Sequence, residues 1–199
     1  LPGEPQSYRL NSLPDAITVI NERSRSDMTT AGFPPDKLVV TGQPRFDWLK
    51  SFTMQQRKEM RERWSKAFGI SATDLWILFL SQPLGSVYEG NPKTIKSNAF
   101  NEETTPYELL TVLEEQPLVP GRKNILLIRY HPKEDRSSFE SLRKDARIPT
   151  ILSQDPTTIE LLSMSDLVVG MTTVLLVDAY IMGRPVLSLQ LGLEESKTF

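Results

Sequence analysis

Asp166-Leu-Val-Val-Gly-Met-Thr-Thr-Val-Leu-Leu-Val-Asp-Ala-Tyr-Ile-Met-Gly-Arg-Pro-Val-Leu-Ser-Leu189 runs from a short apolar strand into a glycine, through two threonines into an apolar helix, and past Gly183-Arg184-Pro185 into another strand. This is a strand, a phosphate-sized turn and a helix in sequence. Backbone N–H groups at the start of such a helix lack intrahelical partners and sit at the positive end of its dipole, so an anion can be held there without a lysine. The order of elements implies a nucleotide or another phosphorylated ligand.

Working outward, the same alternation fills the chain. Upstream of this stretch, Thr150-Ile151-Leu152 reads as a short strand, and Asp155-Pro156 reads as the cap and first position of a helix that ends near Ser163. Asn124 to Arg129 is a strand, and Arg136 to Ala146 is a helix built on Phe139, Leu142 and Ala146. Leu75-Trp-Ile-Leu-Phe-Leu80 is apolar at every position, which suits a central parallel strand covered on both faces. It ends at Ser81-Gln82-Pro83. Residues 54–68 form a helix with Met60, Trp64, Ala67 and Phe68 on one stripe, and the charges of Arg57, Lys58, Arg61, Glu62 and Lys66 read as a solvated face. At the amino end, Ala16 to Ile20 is a strand, Glu22 to Ala31 a helix stopped by Gly32, and Lys37 to Thr41 a second strand. Gly42-Gln43-Pro44-Arg45 follows that strand at its carboxyl end, where ligands of parallel sheets sit. Residues 105–115 form a further helix. Residues 84–104 are polar, turn-rich and aperiodic, and read either as an active-site or partner-binding loop or as a disordered stretch.

Strands and helices thus alternate along the chain, which predicts an α/β, Rossmann-like, three-layer domain with a mostly parallel sheet. Residues 1–15 are expected to be a linker from a missing upstream domain, and residues 16–199 the Rossmann-like domain, truncated at its carboxy-terminal end.

Composition narrows the chemistry. The 199 residues are 39% hydrophobic and 24% charged with a formal net charge of -2, so no excess of basic surface points to nucleic acid. Cysteine is absent, which excludes disulfides and thiol nucleophiles, and His131 is the sole histidine, so a zinc site of ordinary ligand type is not expected. No metal site and no separate cofactor are predicted, although a metal bound only through carboxylates and ligand phosphates stays open. No apolar run reaches the roughly 18 residues of a membrane span, and the amino end does not read as a signal peptide, so a cytoplasmic location is expected. Peripheral membrane contact stays open.

The glycine-rich dinucleotide fingerprint and the P-loop are both missing, which removes the ordinary dehydrogenase and ATPase readings. What remains is a set of residues at strand ends. His131-Pro132 follows Ile125 to Ile128, so its imidazole belongs near the carboxyl edge of the sheet. It could donate to a phosphate or serve as a general acid or base, or it could be a strand-end histidine bonded to a backbone carbonyl. Gly170, Met171, Thr172 and Thr173 form a candidate phosphate cradle, although threonine is also a common helix cap. Asp178 lies about a turn and a half further on among apolar neighbours and needs a partner, which a ribose diol, an arginine or a backbone group could supply. Gly42, Arg45, Ser81 and Gln82 are the cleft-lining candidates.

Taken together, Val39-Val-Thr-Gly-Gln-Pro-Arg-Phe-Asp47, the His-Pro of Arg129-Tyr-His-Pro-Lys133, Ser165 to Thr173, Asp178-Ala179 and Gly183-Arg-Pro-Val186 resemble, in order and approximate spacing, the carboxy-terminal domain of B-type (GT-B) glycosyltransferases and the related UDP-N-acetylglucosamine 2-epimerases. Glycerophosphotransferases of teichoic-acid synthesis and several bacterial sialyltransferases are similar in pairing a His-Pro with a Ser/Thr-rich turn. The resemblance implies one half of a GT-B fold, acting in cell-surface polysaccharide or glycolipid synthesis on a nucleotide-sugar of UDP or CMP/CDP type. His131 and the Gly170-to-Thr173 turn would contact the donor phosphates, and Asp178 the ribose. Relatives often carry Ser-Gly-Gly or Ser-Ser at Met171-Thr172-Thr173 and glutamate at Asp178, which leaves the donor open. The amino-terminal domain, which in such enzymes binds the acceptor and commonly supplies the base, is a partner that the resemblance requires from outside this sequence. A non-hydrolysing nucleotide-sugar 2-epimerase and a non-catalytic nucleotide-binding module are the alternatives.

Overall fold

A computed structural model describes residues 13–84 and 100–191. The chain divides into two compact units, with the boundary between Trp48 and Leu49. In the first, strand β1 (Ile17–Val19), helix α1 (Glu22–Thr30) and strand β2 (Leu38–Val40) make a strand–helix–strand unit whose strands pair in parallel, Ile17 opposite Leu38 and Val19 opposite Val40. Asn21 caps α1 by accepting from the Ser24 N–H at 2.8 Å. These two strands form a sheet of their own and are not hydrogen-bonded to the larger one. Helix α2 (Pro44–Lys50) spans the boundary and was not predicted; a proline at the first helical position lacks only an N–H that the helix leaves unpaired anyway.

The second unit contains α3 (Met54–Phe68), β3 (Leu75–Leu80), α4 (Thr105–Glu115), β4 (Asn124–Arg129), α5 (Arg136–Asp145), β5 (Thr150–Leu152), α6 (Thr158–Met164), β6 (Leu167–Gly170), α7 (Leu175–Ile181) and β7 (Val186–Ser188). Its five strands run in the order β5-β4-β3-β6-β7, with every pairing parallel. The predicted α/β, Rossmann-like architecture is what the chain adopts.

All six residues of β3 are buried, as its unbroken apolar run predicts for a central strand. Alternation of side chains splits them between two faces. Leu75, Ile77 and Phe79 join Leu126 and Ile128 of β4 in one core with Leu109, Leu110 and Leu113 of α4 and Phe139 and Leu142 of α5. Trp76 points the other way, its ring 6.3 Å from that of Phe68 on α3. Helices therefore cover both faces.

Two local expectations are corrected. The helix after β5 is capped by Thr157 and not by Asp155: the Thr157 hydroxyl accepts from the Glu160 N–H while Glu160 accepts from the Thr157 N–H, a reciprocal pair that satisfies two end groups at once. The charges of α3 are not all solvated either. Arg61 turns inward, stacks 4.4 Å over the Trp76 ring and donates to the carbonyls of Ala72, Asp74 and Met164. Its guanidinium also meets Asp166 at 2.8 Å, and the same Asp166 Oδ2 accepts from Arg122 at 2.8 Å and from the Trp76 N–H at 2.9 Å. This carboxylate ties the amino-terminal ends of the central strands together.

Among the described residues no helix is long and apolar enough to cross a membrane.

Candidate functional site

The chain runs β3 to β4 to β5 toward one side of the sheet and then crosses to β6 and β7 on the other. The order therefore reverses between β3 and β6, and in open parallel sheets the crevice at the carboxyl ends of such a pair is where ligands bind. Leu80 and Gly170 are register partners at that end. Ser81-Gln82 leave β3 there, and Met171-Thr172 leave β6 beside them.

The two loops are already joined. Gln82 Oε1 accepts from the Thr172 N–H at 2.8 Å and from the Thr172 hydroxyl at 3.3 Å. Two donors of one residue thus converge on a single acceptor oxygen at the reversal point. The turn behind them is fixed from β7: the Ser188 hydroxyl donates to the Met171 carbonyl at 2.6 Å, and Gln190 Nε2 donates to the same carbonyl at 3.3 Å and to Ser188 Oγ at 2.8 Å. Met171 is fully buried beneath it. The turn passes close to Gly170: a Cβ there would lie 2.9 Å from Cγ2 of Thr173, so that side chain would have to shift.

Thr173 stands just before α7, and its hydroxyl accepts from the Leu175 N–H at 3.3 Å. The helix starts at Leu175, two residues after Thr173, where the sequence pattern begins it, so Thr173 lies with Thr172 on the connecting turn.

One strand further along, Arg129 ends β4 and is followed by Tyr130 and His131. His131 is exposed. The Lys133 N–H donates to its Nδ1 at 3.2 Å, and the Glu134 N–H donates to its carbonyl at 2.9 Å, which closes a tight turn. Glu134 Oε2 accepts from the His131 N–H, and Glu134 Oε1 accepts from the Ser81 hydroxyl at 2.6 Å. Burial pushes the Glu134 carboxyl above its ordinary range, the two donated bonds oppose that, and the nearby Glu102 charge adds to it.

The structure thus brings Ser81, Gln82, His131, Gly170, Met171, Thr172 and Thr173 to the carboxyl edge of one sheet. Asp178 lies within α7, beside Ala179 on its buried side, and is only 4% exposed. A ribose reaches that carboxylate only if neighbouring side chains move. Gly42, at φ 77°, and Arg45, on α2, belong to the first unit, and the other candidates belong to the second.

Sequence reasoning missed Glu134, Ser188 and Gln190. Glu134 carries the spacing of a turn partner, three residues after His131, and Ser188 ends the last strand as Gly170 ends its neighbour. Those were the available signals. Among the described residues no three His, Asp or Glu side chains gather as a metal-ligating group.

Neither a protein-family model nor a curated protein sequence matches the chain. Solved structures do. UDP-GlcNAc 2-epimerase from Neisseria meningitidis, bound to UDP-GlcNAc, matches with a TM-score of 0.60 and 19% identity over 88% of this chain and 44% of that one. The wall teichoic acid polymerase TagF matches with a TM-score of 0.53 and 16% identity over 86% of this chain and 38% of that one. The chain therefore spans less than half the length of either. At such identities the likeness is one of architecture: the chain shares the Rossmann-like fold of these two structures.

Proposed function

We propose that this chain is the nucleotide-sugar-binding part of a GT-B-type glycosyltransferase that acts in cell-surface polysaccharide or glycolipid synthesis. The observation that carries the reading is the convergence of the Thr172 N–H and hydroxyl on one oxygen, that of Gln82, at the strand-order reversal. A phosphate oxygen makes the same demand on its surroundings as that carboxamide oxygen, and makes it more strongly because it is charged. His131 stands at the end of the strand next to β3 on its other side, where it would reach the same diphosphate. Donors fixed by the Ser188 and Gln190 bonds cost little reorganisation when charge develops on a leaving nucleoside diphosphate. Asp178 is assigned to the ribose, and the base and the acceptor site to parts of the protein outside this chain. The donor is of UDP or CMP/CDP type, needs no further cofactor, and meets the protein in the cytoplasm. A nucleotide-sugar 2-epimerase is the second reading, favoured by the higher TM-score of the epimerase match.

The test is an NMR titration with UDP, CDP and NAD. UDP or CDP is expected to bind in the millimolar range, about 4 kcal/mol, and to move the amide signals of Thr172, Gln82 and His131. Silence of these signals toward every nucleotide at millimolar concentration would sink the proposal, and a response to NAD alone would move the chain to another nucleotide class. Interconversion of a nucleotide-sugar by a longer protein without any acceptor would select the epimerase.

Gln82 supplies a sharper test. If a phosphate takes the place of its oxygen, the side chain competes with the ligand, so Gln82→Ala should tighten UDP or CDP binding by about 0.5–1.5 kcal/mol, the net worth of one hydrogen bond. Weaker binding in the variant would mean that Gln82 itself contacts the ligand.

A further inference from the structure

Glu134 connects two strand ends. Its Oε1 accepts from the hydroxyl of Ser81, which is 7% exposed at the end of β3, and its Oε2 accepts from the backbone N–H of His131 at the end of β4. The Glu134 N–H closes the turn on the His131 carbonyl. Within that turn the Lys133 N–H donates to His131 Nδ1 at 3.2 Å. A ring nitrogen that accepts carries no proton, so in the neutral imidazole the proton sits on Nε2. The ring is exposed, which leaves the Nε2–H as the outward donor.

We infer that Glu134 is the positioning residue of His131: a carboxylate that locks the His131–Glu134 turn to β3 and thereby fixes the tautomer in which the imidazole offers Nε2–H to an anionic ligand. The ligand half of this statement rests on the proposed phosphate role of His131; the tautomer half does not. Geometry explains why a carboxylate stands here. It accepts on both oxygens at once, one from each strand end, and the two bonds hold it against its burial. Charged groups share a cavity of 180 Å³ with it: Glu102 and Glu103 at the start of the α4 segment, and Lys133 and Asp135 from its own turn; outside that lining, His131 also interacts with it electrostatically.

Two variants separate positioning from proton chemistry. In Glu134→Gln the amide oxygen can accept from the His131 N–H while the amide NH2 donates to Ser81 Oγ, since a hydroxyl turns to accept as readily as it donates. Both links survive. In Glu134→Ala both are lost. Imidazole ¹⁵N spectra of the whole chain read the result: the wild type and Glu134→Gln should show His131 with an unprotonated Nδ1, and Glu134→Ala should show a mixture of the two tautomers. UDP affinity should fall about tenfold in Glu134→Ala, the effect of one weakened charge-assisted hydrogen bond, with uridine affinity unchanged and Glu134→Gln close to wild type. Should Glu134→Ala not fold, Ser81→Ala removes the Oε1 bond alone and is expected to shift the tautomer balance in the same direction. An unchanged tautomer in these alanine variants overturns the inference. So does Glu134→Gln behaving like Glu134→Ala, which would assign the role to the charge or proton of the carboxylate. If no nucleotide binds the wild type, the phosphate reading fails while the ¹⁵N comparison still decides what Glu134 does.

Discussion

Replacing Asp166 with alanine is expected to destabilise the Leu49–Phe199 unit by about 3 kcal/mol, the cost of removing one partner from a mostly buried ion pair. Three donors meet on its Oδ2: Arg61, Arg122 and the Trp76 N–H, from α3, the segment before β4, and β3 itself. Without the carboxylate, the Trp76 N–H and the Arg122 guanidinium each lose an acceptor. Arg61 keeps its three carbonyls and Arg122 keeps those of Thr73 and Asp74, which limits the damage and sets the figure at the lower end for a buried pair. Urea unfolding read by hydrogen exchange at the amides of Ile77 and Leu78 follows this unit alone, because both residues are fully buried in its central strand. A loss under about 1 kcal/mol would place the cluster with exposed ion pairs, which contribute little. Asp166→Asn keeps one carbonyl oxygen for the Trp76 N–H and should fall between the two. Nucleotide binding should survive in whatever fraction folds, since Asp166 precedes β6 while the proposed ligand edge follows it.

Asp166 also shows where reading the sequence stops. As the first residue before Leu167-Val-Val169 it marks a strand start, and hydrophobic patterning locates β3, β4 and β6 to within a residue or two because burial on both faces leaves an unbroken apolar run. Its three donors are 44 to 105 residues away, and no local pattern announces them. Arg61 has the same difficulty: on a helical wheel it is one charge among several, and only the fold reveals that carbonyls at the sheet's amino end draw it inward. The separate pairing of β1 with β2 was equally out of reach, because a strand–helix–strand pattern fixes parallel pairing but not membership of the larger sheet.

The candidate site was legible for a different reason. Functional loops of parallel sheets follow carboxyl ends, so locating a strand in sequence locates the residues after it, and Ser81, Gln82, His131 and the Gly170-to-Thr173 turn come from that rule alone. What holds them was not legible. The Gln82–Thr172 contact joins residues 90 apart, and the Ser188 contact to Met171 joins residues 17 apart across two strands. Both depend on the sheet order β3-β6-β7, which alternation by itself does not give. Residues 85–99, most of the segment read as a candidate active-site loop, lie outside the described residues, as do residues 1–12 of the expected linker and residues 192–199 at the carboxy-terminal end.

Thr172→Val combined with Thr173→Val is expected to weaken UDP or CDP binding by about 1.5–3 kcal/mol for each hydroxyl that contacts phosphate, which is the usual worth of a hydrogen bond to a charged group. The two positions should divide the effect unequally. Thr172 is exposed and its hydroxyl already meets the Gln82 oxygen, so its single valine variant should carry most of the lost affinity. Thr173 is half-buried and its hydroxyl accepts from the Leu175 N–H, so its single variant should mainly cost stability, about 1 kcal/mol as for a lost helix cap. Valine keeps the shape and the backbone N–H of each residue, so the Thr172 N–H remains available to Gln82 or to a ligand, and residual binding through that N–H is expected in the double variant. Thermal unfolding measured beside the nucleotide titration separates the two contributions. A double variant that loses stability yet binds nucleotide with unchanged affinity would reduce both hydroxyls to holding the turn, Thr172 to Gln82 and Thr173 to the Leu175 N–H, and the anion site would then have to rest on the backbone N–H of Thr172 and on His131.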